Sequence, residues 1–173
     1  MGIGSHTKAN RGATDEWLTP RPIVDGLGPF DLDPCSPIAR PWPTAAAHLT
    51  SDDDGLSKPW TGRVWCNPPY GRETGRWLAR LAEHGDGIAL IFARTEVAFF
   101  VDSVWGKADA VFFIHGRLRF CYPNGIQAKA NAGGPSCFVA YGARNVDALA
   151  RSPVAGTLVD LRQQHLDRIA GTL

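Results

Sequence analysis

Short apolar runs closed by proline or glycine alternate along the chain with stretches whose apolar residues recur every three to four positions. Phe30-Asp31-Leu32-Asp33-Pro34 alternates and stops at proline, which suits a strand that delivers Asp33 to its carboxyl end. Arg63-Val64-Trp65-Cys66-Asn67 is a second run of this kind. Gly87 to Phe92 and Ala110 to Ile114 read as buried strands, and Arg117 to Tyr122 and Cys137 to Tyr141 as two more around a Gly- and Asn-containing loop. Helical spacing predicts a helix over Pro20 to Leu27, capped by Thr19, with Ile23, Val24 and Leu27 on one face. It also places Trp77, Leu78 and Leu81 on a helix after Gly71 and Gly75, and Val97, Phe100, Val101 and Val104 on the inner face of a helix over Glu96 to Val104. A polar terminal helix is expected over Leu158 to Ile169. Between Cys35 and Thr61 the chain is rich in proline and acidic residues, and only Thr44 to Leu49 offers a short helical stretch.

Strands alternating with helices imply an α/β fold, a mainly parallel sheet covered on both faces, and the last strands, joined without a helix, imply an antiparallel edge pair. In such sheets ligands bind beyond the carboxyl ends of the strands, where Asp33-Pro34 and Asn67-Pro68-Pro69-Tyr70 fall. The 173 residues suit one domain, with 1–14 as a flexible arm. No run approaches the roughly 20 apolar residues of a membrane span, and the polar start Met1 to Asn10 lacks the features of a signal peptide, so no membrane association and a cytoplasmic location are expected. Cys35, Cys66, Cys121 and Cys137 have neither zinc-knuckle nor disulfide spacing and read as free thiols. A net charge of +1 does not announce a polyanionic partner. Any nucleic-acid face must therefore come from local clusters: Arg72, Arg76 and Arg80 recur every four residues, and Arg117, Arg119 and Lys129 crowd a later segment. A solvated charged face is the other reading of the first three.

Asn67-Pro68-Pro69-Tyr70 is the run with a chemical reading. An amine conjugated to an aromatic ring, such as adenine N6, is a poor nucleophile because its lone pair is delocalised. The Asn67 side-chain oxygen and the Pro68 carbonyl can each accept one amine hydrogen, favouring a pyramidal nitrogen that attacks a sulfonium methyl directly. Two prolines stiffen the turn and keep Asn67 out of helical geometry. Tyr70 would stack on a base rotated out of the duplex. Alone, the tetrad also fits a turn that merely ends a strand; its place after an apolar strand in an α/β pattern favours chemistry. No cysteine lies in a proline-cysteine pair at this strand end, so covalent attack on a pyrimidine is unsupported there, and Cys66 should point into the sheet packing. The acidic run Asp52-Asp53-Asp54 reads as a solvated loop, and the chemistry needs no metal.

The chain also resembles the phage-type DNA N6-adenine methyltransferases, often called Dam-like, from Asp15 onward. The resemblance is carried by Asp15-Glu16-Trp17-Leu18-Thr19-Pro20, Phe30-Asp31-Leu32-Asp33-Pro34-Cys35, Asp54-Gly55-Leu56 with Trp60, Val64-Trp65-Cys66-Asn67-Pro68-Pro69-Tyr70-Gly71, Ala93-Arg94-Thr95 and Gly116-Arg117-Leu118-Arg119-Phe120, in that order. It implies a Rossmann-like class I methyltransferase fold, S-adenosylmethionine as cofactor and double-stranded DNA as substrate. It also implies a monomer or weak dimer, and a phage- or prophage-encoded role in restriction-modification within a bacterial host. By position, Asn67, Pro68, Pro69 and Tyr70 would be catalytic. Asp33, Pro34 and Cys35 would line the cofactor site, with the Trp17, Thr19, Pro20 arm and Asp54-Gly55 closing over it. The chain departs from the broader methyltransferase pattern between Cys35 and Asp54, where no glycine lets the backbone approach the methionine end of the cofactor.

The segment 116–135 mixes Arg117, Arg119, Phe120, Tyr122, Asn124, Gln127 and Lys129, a composition that can grip phosphates and read base edges, or can form a long polar hairpin loop. With no separate recognition domain in the sequence, target reading falls to this insert and to Arg72 and Arg76; the resemblance suggests GATC as the target. Two other functions use the same centre: methylation of RNA or of protein amides, and a non-catalytic DNA-binding module.

Overall fold

A computed structural model describes residues 17–163. The expected 1–14 arm, Asp15, Glu16 and positions 164–169 of the expected terminal helix lie outside the described residues. The chain runs α1 (Arg21–Leu27), β1 (Leu32–Asp33), β2 (Ala47–His48), β3 (Val64–Cys66), α2 (Thr74–His84), β4 (Gly87–Phe92), a π-helical segment (Phe100–Trp105), β5 (Ala110–Ile114), β6 (Ser136–Tyr141), α3 (Ala143–Ala150) and β7 (Gly156–Asp160).

The strands form one sheet in the order β2-β1-β3-β4-β6-β5-β7. β1 to β4 pair in parallel, whereas β6 is antiparallel to both β4 and β5, and β7 is antiparallel to β5. The expected antiparallel edge pair is therefore corrected, because β6 is an interior strand. β5 leaves the chain at the same rim as β3 and β4, and a strand entered from that rim without a crossover helix must run back antiparallel.

Side chains alternate across the pleat, so each central strand feeds two cores. Val64, Cys66, Ala89, Ile91, Val111 and Val139 face α2 and the π-helical segment, meeting Leu78, Leu81, Phe100 and Val104. Trp65, Ile88, Leu90, Phe112, Phe138 and Ala140 face α1 and α3, meeting Val24, Leu27, Val146 and Leu149. Helices thus cover both faces, as a mixed α/β layer fold requires.

Five local expectations are corrected. Thr19 does not cap α1: Pro20 occupies that position without a side-chain cap bond, and the Thr19 hydroxyl is buried with no described partner. Thr44 to Leu49 contains strand β2 instead of a helix, because Ala47 pairs beside Leu32 and the His48 Nε2 accepts the backbone N–H groups of Thr44 and Ala45. Val101 is exposed, since the wider turn of the π-helical segment moves it off the face shared by Phe100 and Val104. Leu158 to Asp160 belong to β7, paired with β5, instead of starting a helix.

Finally, Arg117 to Tyr122 is not a regular strand. Leu118 and Phe120 are buried and Arg117 and Arg119 exposed, as alternation predicts. The returning chain, however, bonds Leu118 O from Ala132 N and Phe120 O from Ala128 N. Two residues on one side thus oppose four on the other, and this slip breaks the ladder.

Candidate functional site

The carboxyl ends of β1, β3 and β4 converge on one rim, and the loops that leave them wall two adjoining cavities. The first is lined by Trp17, Pro34 to Pro37, Thr50, Ser51, Asp54, Gly55, Asn67 to Tyr70 and Trp77. The second is lined chiefly by rings, those of Trp17, Tyr70, Phe92, Phe120 and Tyr122, and closed by Ala128 and Ala130 to Gly133. Trp17 and Tyr70 belong to both, so they form the wall between the cavities.

Asn67 follows directly from β3, and the first proline ends the strand there. Beyond the prolines, the Thr74 hydroxyl donates to Pro69 O at 2.9 Å and accepts from the Gly71 N–H at 3.1 Å, clamping the turn against the start of α2. The Asn67 amide donates from Nδ2 to Trp17 O at 3.0 Å, and its Oδ1 accepts from the Tyr70 hydroxyl at 3.4 Å, a long and weak bond. Among the described residues none donates to the Pro68 carbonyl. Tyr70 stacks on Phe92 with ring centres 4.3 Å apart and meets Phe120 edge-on at 6.1 Å. Burial pushes the Tyr70 hydroxyl far up, so it stays protonated and polar.

The first cavity brings together most of the residues expected at a cofactor site. Pro34, Cys35, Asp54, Gly55 and Trp17 line it; Asp33, Thr19 and Pro20 do not. Asp33 is 2% exposed and turned into its own loop, accepting from Cys35 N–H at 3.1 Å and from the Thr44 hydroxyl. Burial raises its pKa to about 6, opposed by those two bonds and by Arg40. Thr19 serves through its backbone, accepting from Trp42 Nε1 at 3.3 Å. Close approach of backbone to backbone does occur here, at Gly55, where an added Cβ would lie 1.9 Å from Pro34 O. Cys35 and Cys66 face each other with sulfurs 3.8 Å apart as free thiols, and burial pushes the Cys35 thiol up.

The basic residues are scattered around this rim. Arg72 precedes α2 and lines an open groove with Arg94 beside Tyr70 and Phe92. Arg76 is exposed and paired with Glu73 at 2.6 Å, while Arg80 lies over the Trp60 ring, 5.7 Å from its centre. Arg117 and Arg119 bond to the insert's own backbone, at Ala132 O (3.4 Å) and Lys129 O (3.2 Å), leaving their exposed guanidinium groups along its outer side with Lys129. Tyr122 packs on Trp17 with ring centres 5.5 Å apart.

Sequence reasoning missed Phe92, Thr74, Trp77 and the Thr50-Ser51 pair. Phe92 had a signal, since it ends a buried strand at the rim where Asn67 also sits. Among the described residues no cluster of potential metal ligands occurs, and no helix is long and apolar enough to cross a membrane.

A family model described as DNA N-6-adenine-methyltransferase (Dam) matches residues 4–161. No curated protein and no solved structure gives a match.

Proposed function

The chain belongs to the DNA N-6-adenine-methyltransferase (Dam) family, and from that premise we propose that it transfers the methyl of S-adenosylmethionine to the N6 amine of an adenine turned out of double-stranded DNA. The observation that carries this reading is the shared wall. Asn67 to Tyr70 line one cavity, and Tyr70 and Trp17 separate it from a cavity lined by aromatic rings, a lining that suits a planar base.

The first cavity fits the cofactor by its donor set. The Trp17 and Trp77 rings and Pro34 to Pro37 offer apolar surface to an adenosine, the Thr50 and Ser51 hydroxyls suit ribose oxygens, and the Asp54 carboxylate suits an ammonium. When bound there, S-adenosylmethionine supplies an electrophilic sulfonium methyl. The chain's own residues do the rest. Asn67 Oδ1 and Pro68 O accept the two hydrogens of the amine, drawing its lone pair out of the ring, and the Thr74 clamp stiffens the turn that follows them. The rings of Phe92, Tyr70 and Phe120 that line the second cavity would give the base apolar surface in exchange for the stacking it leaves in the duplex. Arg117, Arg119 and Lys129, with Arg72 across the rim, supply the charge that holds the phosphates. The sheet, with both faces covered and the site at the carboxyl ends of its parallel strands, supports the Rossmann-like class I assignment.

Asn67→Ala is the direct test. It should lower kcat by about a hundredfold or more while leaving cofactor affinity, measured by calorimetry, nearly unchanged. Activity equal to wild type would remove the acceptor mechanism.

A further inference from the structure

We propose that the backbone carbonyl of Trp17 is a positioning group that fixes which way the Asn67 amide points, turning its oxygen toward the reacting amine; this rests on the function proposed above. A carbonyl oxygen only accepts hydrogen bonds, so the amide atom 3.0 Å from Trp17 O has to be Nδ2. The Tyr70 hydroxyl, 3.4 Å from the other amide atom, can donate or accept and does not discriminate. One contact therefore decides the orientation of a nearly symmetric group. Turned over, the amide would set oxygen against oxygen at Trp17 and present its own N–H groups to an amine that needs acceptors.

The carbonyl is itself held in place by the contacts of Trp17 and of the residues that follow it. On the next residue, Leu18 N–H donates to Cys121 O at 2.9 Å and Cys121 N–H returns a bond to Leu18 O at 2.8 Å. The Trp17 ring packs on Tyr122 and Phe120, and Trp42 holds Thr19 O. Leu18 is 1% exposed, so the strap does not peel away without uncovering core. The insert that carries Arg117 and Arg119 is thereby tied to the amide through a single peptide.

The same contact explains asparagine in place of aspartate at position 67. An ionised carboxylate would oppose Trp17 O with a second acceptor and turn away. Only its protonated form can donate to Trp17 O and still offer an oxygen to the amine. The titratable groups around this position are Tyr70, Cys35, Cys66 and Asp54; burial pushes Tyr70 and Cys35 further up, away from neutral pH.

The test uses the full chain with Asn67→Asp and two readouts. In single-turnover methylation of duplex DNA, the variant's rate should rise about tenfold for each pH unit lowered from about 8.5 toward 6.5, over a far flatter wild-type profile. A variant profile parallel to wild type, or a folded variant inactive throughout, overturns the proposal. Independently of turnover, the Asn67 side-chain amide of the wild-type chain should give two resolved proton resonances in NMR, one shifted downfield and slow to exchange. A solvent-averaged pair also overturns it. A wild-type chain that methylates no DNA yet shows the protected amide contradicts the proposed function and leaves the positioning contact standing.

Discussion

Replacing Asp33 with asparagine separates two roles for the strand-end carboxylate, anchor of its own loop or ligand for the cofactor. The side chain is buried at 2% exposure, accepts from Thr44 and Cys35, and is held with a pKa of about 6 in place of 3.8, chiefly by loss of water. Below about pH 4 the carboxyl is neutral in both the folded and unfolded chain, and its burial carries no charge penalty. Between about pH 4 and 6 the unfolded chain releases the proton first, so stability falls as pH rises, and above about 6 the whole penalty is present. With about 1.4 kcal/mol for each tenfold change in proton affinity, that penalty is about 3 kcal/mol. Asparagine keeps an acceptor for the Cys35 N–H, can donate to the Thr44 hydroxyl and has no charge to bury. In urea titrations Asp33→Asn should match wild type near pH 4 and exceed it by up to about 3 kcal/mol at pH 8, with unchanged cofactor affinity. A variant less stable than wild type at pH 8 would show that the ionised carboxylate is a net stabiliser. A folded variant that lost cofactor affinity would make Asp33 a ligand after all.

Two further perturbations probe the cavity and the rim. Gly55→Ala places a Cβ against Pro34 O and within 3.1 Å of Trp77 Cη2; it should cost about 1–3 kcal/mol in thermal unfolding and weaken cofactor binding, and unchanged values in both would contradict the close approach. Removing Arg117 and Arg119 together should weaken DNA binding and lower the slope of log affinity against log salt by about 2, whereas an unchanged slope would place the DNA face elsewhere.

The parts of this architecture legible in the sequence are those fixed by local pattern. β4 and β5 fall where their apolar runs end, and β3 and β6 within a residue or so, because strands buried on both faces must be continuous apolar stretches between breakers. The rim position of Asn67 follows from the proline that stops β3. The missing parts depend on partners distant in sequence. β7 sits at the sheet edge with an intermittent burial pattern, and only its pairing with β5 makes it a strand. α3 presents just Val146 and Leu149 as buried apolar side chains, too few to mark a helix. The aromatic cavity assembles rings from four separate segments, and the Trp17–Asn67 bond spans fifty positions, so neither leaves a periodic trace. Asp33 reached the expected rim, but its side chain folds back because Thr44 and the Cys35 N–H offer it partners inside the loop.

The central claim is that acceptors at Asn67 and Pro68 direct a methyl group onto adenine N6 in DNA. Unmethylated duplex DNA is incubated with the chain and methyl-labelled S-adenosylmethionine, digested to nucleosides and resolved by mass spectrometry. The label should appear in N6-methyldeoxyadenosine; label confined to cytosine, RNA or protein, or no transfer at all, would contradict the account.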